Sequence, residues 1–294
     1  MQMHKIVILC KSYRNDVNRF ANLATSITRF NRDQIPFYLC IPQTDKSLFD
    51  PIIKEHHIHV IFDEDILNLT MACSQEKEIT LPGNILQQVT KSEFWRLGLC
   101  KNFVMIDSDS FFIRDFFIYD FLWDEETPYT IINEGRHQRE WAARAGHSKF
   151  LHQYTELRDN SRKLFSRKTI NFDFAPTPCI HSSKVWQALY ETYAKPQGKS
   201  FYDQIIEFPC ETQWYGEFLL SNPVIRLIPR EPLFKVWGFQ SQYEESLRLG
   251  ETEEVLSKNY LGIVKQSNWD EDLDYQKKQR SFLSRKVRKL KKKW

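Results

Sequence analysis

The chain has few glycines and lacks the glycine-rich loops that hold phosphate groups on backbone amides. Only 9 of its 294 residues are glycine. No G-x-G-x-x-G fingerprint follows the first apolar run, which argues against a dinucleotide site of the dehydrogenase type. The P-loop sequence is absent as well. If this protein binds a nucleotide, a metal ion carried by carboxylates is the natural substitute for such a loop.

Long apolar runs and paired cysteines are also missing. The longest apolar stretches are about seven residues, whereas a transmembrane helix needs roughly 20. Residues 1–10 lack the long apolar region and cleavage site of a signal peptide, so we interpret them as a first core strand. None of the six cysteines lies in a Cys-x-x-Cys pair. This favours reduced thiols in a cytoplasmic protein over a disulfide framework or a zinc site.

The first third of the chain alternates strand-like and helical patterns. Apolar runs at 6–10, 36–41 and 58–62 are separated by helical patterns at 17–27 and 47–56. This order predicts a parallel sheet with helices on its faces. Such sheets bind ligands at the carboxyl ends of their strands. Later segments with clear patterns are predicted helices at 84–99, 136–168 and 183–194, and strands at 170–174 and 261–264.

Two carboxylates follow a short apolar run near the middle of the chain. Residues 103–106 are too few for a helix and predict a buried strand. Because strand side chains alternate between faces, we expect Asp107 and Asp109 to point the same way. Adjacent like charges are unfavourable unless a cation lies between them, and a hard divalent ion suits oxygen ligands. The alternative is a solvated turn, since acidic residues are common after strands.

Five motifs occur in order between residues 5 and 240. They are Ser12-Tyr13-Arg14-Asn15-Asp16, Gln87-Gln88-Val89-Thr90-Lys91, Asp107-Ser108-Asp109, Phe172-Asp173-Phe174-Ala175-Pro176-Thr177-Pro178 and Glu211-Thr212-Gln213-Trp214-Tyr215-Gly216. The set resembles the GT-A glycosyltransferase superfamily, in particular bacterial cell-surface polysaccharide transferases. The resemblance implies an α/β fold with a Rossmann-like mixed sheet flanked by helices. It also implies one domain at 1–270, with a nucleotide-binding half at 1–112 and an acceptor-binding half at 113–270.

The resemblance assigns donor-binding roles to the first and third motifs. Asp107 and Asp109 would hold Mn²⁺ or Mg²⁺ against the diphosphate of a nucleotide-sugar, with a UDP-sugar favoured. Tyr13 and Asp16 would contact the nucleoside, and Ser108 is small enough to let the ribose approach. The acceptor would be a lipid-linked or growing glycan.

The remaining motifs supply candidates for the diphosphate and the chemistry. Gln88 and Lys91 are three residues apart on a predicted helix and share one face, either beside the diphosphate or as a solvated polar surface. Glu211 is the first candidate for the base of an inverting enzyme, although acids are favoured in a first helical turn by the macrodipole alone. Asp173 is the second candidate, or it binds the sugar or acceptor. A retaining enzyme and a non-catalytic sugar-nucleotide or glycan-binding module remain alternatives.

The sequence departs from the superfamily in one respect. Many members use a late histidine as a third metal ligand, whereas the last histidine here is His181. Gln266, Ser267 and Asn268, after the strand-like run at 261–264, are possible oxygen ligands, and water is the other possibility.

The basic residues are concentrated in the tail, residues 271–294. Its last 18 residues, 277–294, contain ten Lys or Arg and no acid, so that the rest of the chain holds 31 basic against 38 acidic side chains. Apolar residues recur there at helical spacing: Leu283, Val287, Leu290 and Trp294. This pattern predicts a basic amphipathic helix on an anionic membrane surface, peripheral on the inner face of the cell membrane. A solvated tail is the alternative; nucleic acid is disfavoured because the body is net acidic.

Overall fold

A computed structural model describes residues 3–74 and 81–266 of the chain. The strands in these ranges are β1 (His4–Lys11), β2 (Phe37–Ile41), β3 (His59–Phe62), β4 (Cys100–Asp107), β5 (Ser110–Phe112), β6 (Tyr129–Ile131), β7 (Cys179–Ser182), β8 (Ile228–Arg230), β9 (Phe234–Trp237) and β10 (Gly262–Lys265). The helices are α1 (Val17–Phe30), α2 (Lys46–His56), α3 (Asp63–Met71), α4 (Gly83–Glu93), α5 (Arg136–Arg144), α6 (Ser148–Leu164), α7 (Ser183–Leu189), α8 (Phe201–Glu207), α9 (Glu211–Ser221), α10 (Gln240–Arg248) and α11 (Glu253–Leu256).

The central sheet has the strand order β3-β2-β1-β4-β7. The first four strands are parallel, as the βαβαβ pattern predicts, and β7 runs antiparallel to β4. The carboxyl ends of β1 and β4 lie side by side, because Lys11 is in register with Asp107. This edge is where a doubly wound sheet binds its ligands.

Successive side chains of the central strands enter different cores on the two faces of the sheet. Ile8 belongs to the cluster that includes Phe20 of α1, whereas Leu9 belongs to the cluster that includes Trp186 of α7 and Phe218 of α9. The alternation follows the period of two of a strand. The predicted mixed sheet flanked by helices is therefore confirmed.

A second, three-stranded sheet begins directly after the two aspartates. Its order is β5-β10-β9, with β10 antiparallel to β5 and parallel to β9. The Lys265 N–H donates to the carbonyl oxygen of Asp109 at 3.0 Å. The end of β10 is thus fixed beside the turn that carries Asp109.

The predicted strand at 170–174 is wrong. This segment makes one isolated bridge, Asn133 with Asp173, and β7 begins only at Cys179. Pro176 and Pro178 have no N–H group to give to a ladder. The helix predicted at 84–99 ends earlier: α4 stops at Glu93 and a short 3₁₀ helix follows at Phe94–Leu97.

Further predictions concern the cysteines, membrane-spanning helices, the tail and the domain boundaries. No disulfide joins cysteines in the described ranges: Cys10, Cys40, Cys100 and Cys179 are free and buried, and Cys73 and Cys210 are free and half-buried. None of the described helices has the length and hydropathy that crossing a membrane would require. The predicted amphipathic helix at 277–294 lies outside the described residues, and the predicted domain boundaries stay predictions.

Candidate active site

The loop after β1 is held in place by Asp45, a buried aspartate directly before α2. Arg14 binds Asp45 in three ways: its backbone N–H lies 2.7 Å from Oδ2, and Nε and Nη2 lie 2.9 and 2.6 Å from Oδ1. Tyr13 precedes this anchor and its ring is about half exposed. A paired, buried carboxylate of this kind fixes backbone geometry. The loop therefore presents Tyr13 at the carboxyl edge of the sheet.

Asp16 ties the same loop to the central aspartate motif. Arg19 Nη1 lies 3.2 Å from Asp16 Oδ1, and Ser108 contributes a hydrogen bond to the Asp16 carboxylate. Burial raises the pKa of Asp16, and the contacts with Arg19 and Ser108 oppose that rise. Three predicted donor-site residues, Asp16, Ser108 and Asp107, consequently meet at one edge.

The two aspartates do not share a strand face. Asp107 is the last residue of β4, whereas Asp109 lies in the turn before β5. Strand alternation therefore does not apply to Asp109, because alternation ends where the strand ends, and the common orientation of the two carboxylates stays a prediction. Asp109 lines a cavity, and Asp107 instead contacts Lys91.

Lys91 lies between two acidic side chains and is 5% exposed. Its Nζ is 2.6 Å from Asp107 Oδ1 and 3.7 Å from Glu211 Oε1. α4 supplies the lysine, β4 the aspartate and the first turn of α9 the glutamate. The interpretation of Lys91 as part of a solvated polar surface is wrong, because its ammonium is the cationic centre of a buried charge cluster.

The charges of this cluster shift the acid–base properties of its members. Burial lowers the pKa of Lys91, but attraction to Asp107 and Glu211 outweighs burial and leaves that pKa raised. Burial raises the pKa of Glu211, and Lys91 opposes the rise. Glu211 is 8% exposed. A shielded carboxylate with a raised pKa is a stronger base than one in water.

Two polar atoms at this edge are buried without a hydrogen-bond partner among the described residues. They are Ser12 Oγ, after β1, and Gln88 Oε1, one turn before Lys91 on α4. The amide nitrogen of Gln88 turns back to the carbonyl of Asn84 at 3.4 Å. Buried polar groups are ordinarily satisfied, so these two atoms are suited to contact a polar ligand.

Asp173 is engaged by several donors. Arg158 Nη2 lies 2.5 Å from its Oδ2, which also accepts a hydrogen bond from the Tyr154 hydroxyl. Its Oδ1 accepts from the Ala175 N–H at 3.1 Å and from Gln213 Nε2 at 3.4 Å. These contacts favour a role in holding the 172–178 loop against α6 and α9.

Gly216 allows that loop to approach α9 closely. A Cβ built at this position would lie 2.0 Å from the ring of Phe174. Glu217, the next residue, is fully buried and forms a bidentate pair with Arg167, whose Nε and Nη2 lie 2.5 and 3.0 Å from its carboxylate oxygens. Glu217 is therefore structural, and Glu211 is the acid of α9 that contacts the charge cluster.

His181 is a core residue. It is 2% exposed, and its ring stacks on Tyr215 with centroids 4.0 Å apart. Trp186 Nε1 donates to its Nδ1 at 3.2 Å. Burial, assisted by Lys91, lowers the pKa of His181 to about 3, so the ring is neutral.

A cavity of about 500 Å³ opens beside Asp109. Its walls come from α1, residues 108–113 and the end of β10, and three cations line it: Arg19, Arg29 and Lys265. Its volume falls within the range of small-molecule sites. Asp107, Lys91 and Glu211 are not among its walls, so the charge cluster is a separate part of this edge.

The candidate metal ligands offer oxygen donors, which suit a hard divalent cation. Asp107 and Asp109 offer carboxylate oxygens, and 38% of the Asp107 side chain is exposed. In the described part of the chain, no three His, Cys, Asp or Glu side chains form a metal-binding cluster. Gln266 follows Lys265, whose N–H donates to the carbonyl oxygen of Asp109, and so lies near the Asp109 turn in space, whereas Ser267 and Asn268 lie outside the described residues. The third ligand stays a prediction.

Sequence reasoning missed the partners that fix these residues. Asp45, Tyr154 and Arg158 carry no local signal, because their partners lie 31, 19 and 15 positions away in the sequence. Lys91 had a signal in its spacing from Gln88, but a lysine on a helix is ordinarily solvated.

Comparisons with known proteins identify the family and the fold of this chain. A family model described as "Family of unknown function (DUF6492)" matches residues 3–273. The chain belongs to this family. Curated protein sequences give no match.

Among solved structures, the galactosyltransferase LgtC in complex with donor and acceptor sugar analogues has a TM-score of 0.51 at 10% identity, covering 89% of this chain and 87% of that chain. Mouse xyloside xylosyltransferase 1 has a TM-score of 0.46 at 8% identity, with 90% and 98% covered. The bifunctional glycosyltransferase WbbM has a TM-score of 0.46 at 10% identity, with 92% and 47% covered. The likeness to LgtC shows the fold: this DUF6492 chain has a GT-A glycosyltransferase fold.

Proposed function

We propose that this chain is a metal-dependent glycosyltransferase. It moves a sugar from a nucleotide-sugar donor, with UDP-sugars favoured, onto a lipid-linked or growing bacterial surface polysaccharide such as O-antigen, capsule or lipopolysaccharide core. The observation that carries the proposal is the meeting of Asp107, Lys91 and Glu211 at the carboxyl edge of a GT-A sheet. A buried acid, a buried cation and an aspartate after a central strand are the groups that transfer from a diphosphate requires.

The donor is proposed to lie along the first-strand loop. The half-exposed ring of Tyr13 offers a stacking surface for the base, and Asp16 accepts hydrogen bonds from base or ribose. Ser108 lets the ribose approach, and the unsatisfied Gln88 Oε1 accepts a hydrogen bond from a sugar hydroxyl. When bound at Asp107 and Asp109, Mn²⁺ or Mg²⁺ supplies neutralisation of the negative charge that grows on the departing diphosphate.

The chain's own groups carry the proton and the remaining charge. Glu211 removes the proton from the acceptor hydroxyl as that oxygen attacks the anomeric carbon. The attack is on the face opposite the breaking bond to the nucleotide diphosphate, so the product has inverted configuration. Lys91 opposes the rise that burial causes in the pKa of Glu211 and adds positive charge beside the diphosphate. The contacts of Asp173 leave it less suited to act as base or as the nucleophile of a retaining enzyme.

The proposal is tested first by donor binding and transfer. Nucleotide-sugars are screened for thermal stabilisation with and without Mn²⁺, since a ligand that binds the folded state raises the melting temperature. With the donor so found, we expect Asp107→Asn and Asp109→Asn each to lower transfer at least about 10²-fold, as loss of a charge-stabilising group ordinarily does.

Asp115→Asn is the matched control, because Asp115 is a half-exposed aspartate paired with Arg32 on the surface. It should transfer at the wild-type rate. Full activity in both Asp107→Asn and Asp109→Asn, or wild-type protein that neither binds nor uses any donor, would refute the proposal. Donor binding without transfer to any glycan would favour a binding module.

The tail is proposed to hold the enzyme at the cytoplasmic face of the membrane, where a lipid-linked acceptor is found. Its ten cations and apolar stripe suit an anionic surface, and each cation near that surface contributes on the order of 1 kcal/mol. In flotation with vesicles that contain phosphatidylserine, we expect the full chain to float and a chain ending at Gln276 to stay in the lower fraction. Equal flotation of the two would exclude the tail as the anchor.

A further inference from the structure

Lys91 is hydrogen-bonded to one of the two carboxylate oxygens that Asp107 would offer to the proposed metal. Its Nζ lies 2.6 Å from Asp107 Oδ1 and is shielded from water. A Mg²⁺–oxygen bond is about 2.0–2.1 Å long, so an ammonium group at hydrogen-bond distance and a dication on the same carboxylate would repel each other. The described structure therefore presents Asp107 with one cation already in place.

We propose that Lys91 and the divalent cation compete for Asp107, and that metal binding moves the Lys91 ammonium from Asp107 to Glu211. The proposal rests on the proposed metal-dependent function. It adds that Lys91 holds the site in a metal-free state and that Glu211 is the second position of the lysine.

Glu211 is suited to receive the displaced ammonium. Its Oε1 is 3.7 Å from Lys91 Nζ, so a shift of about 1 Å would bring the two groups to the separation of a charge-assisted hydrogen bond. Without this acid, the displaced ammonium would lie buried and unpaired, which is strongly unfavourable. Metal binding therefore brings the Lys91 ammonium closer to Glu211, the proposed base.

The test measures Mn²⁺ binding by the full chain without donor, by calorimetry and by the electron paramagnetic resonance of free Mn²⁺. We expect Lys91→Met to tighten binding by about tenfold, because the variant removes a positive charge that lies beside the ligand carboxylate and repels the dication. Glu211→Gln should weaken binding, since it removes the position to which the ammonium moves. In the double variant the Glu211 substitution should have no further effect, because it acts through the lysine.

Glu217→Gln is the control: it removes the other buried acid of α9, which pairs with Arg167, and should leave Mn²⁺ affinity unchanged. Lys91→Gln replaces Lys91→Met if the methionine variant does not fold. Unchanged or weaker binding in the Lys91 variants overturns the competition, as does absence of Mn²⁺ binding from wild type and Lys91 variants alike. Failure of the proposed function is distinguished by the transfer assay, since loss of the competition alone leaves wild-type transfer intact.

Discussion

Replacing Glu211 with glutamine is expected to lower the rate of sugar transfer by about 10²–10⁴-fold, the usual contribution of a general base. The substitution keeps the shape of the side chain and removes its ability to take a proton. Glu211 is buried, and its Oε1 lies 3.7 Å from Lys91 Nζ. The loss should therefore appear in kcat at saturating donor and saturating Mn²⁺, where weaker metal binding does not limit the rate.

Glu217→Gln supplies the comparison within the same helix. Glu217 is also buried and also has a cationic partner, Arg167, but it does not contact the charge cluster. We expect this variant to lose stability while the transfer rate per folded molecule stays close to that of the wild type. Equal rates in Glu211→Gln and wild type would exclude Glu211 as the base. Retained anomeric configuration, read by NMR of the fresh product, would exclude the inverting mechanism.

The general architecture could be predicted from local patterns because each of its elements has a local cause. Residues 6–10, 36–41 and 58–62 are apolar runs between helical periods, and the structure places β1, β2 and β3 there. The strand prediction at 170–174 is wrong because composition reports only a local preference. Whether a strand forms depends on a pairing partner from a distant part of the sequence. Its neighbours are a loop at Asn133 and the prolines at 176 and 178.

The candidate site shows the same division between local and distant causes. The position of Asp107 at a strand end follows from residues 103–106, but the strand ends there, so strand alternation does not extend to Asp109. Which cation meets Asp107 depends on how α4 packs beside β4 and α9, and no pattern within α4 carries that information. The sequence indicated a charged lysine and an acid in a first helical turn. It could not indicate that Lys91 and Glu211 lie together beside Asp107.

Replacing Asp173 with asparagine is expected to destabilise the fold by about 3–5 kcal/mol, the usual consequence of removing one member of a buried ion pair. Arg158 Nη2 lies 2.5 Å from the Asp173 carboxylate, and each side chain is 9% exposed. The asparagine variant would leave the guanidinium buried without a compensating charge. Urea unfolding measures the loss, and the transfer rate per folded molecule should fall far less than in Glu211→Gln.

Removing Arg158, the ionic partner of Asp173, distinguishes a structural role of Asp173 from a chemical one. If the carboxylate serves to hold Arg158, then Arg158→Met in the Asp173→Asn background should restore part of the stability, because no unpaired charge remains buried. A base or a sugar ligand predicts the opposite pattern: a stable Asp173→Asn protein that has lost transfer, which removal of Arg158 does not rescue. Because both oxygens of Asp173 already accept hydrogen bonds from Arg158, Tyr154, Ala175 or Gln213, taking a proton from an acceptor would require breaking these contacts. Among the described residues, Glu211 has one cationic neighbour, Lys91 at 3.7 Å, so fewer contacts oppose its taking a proton.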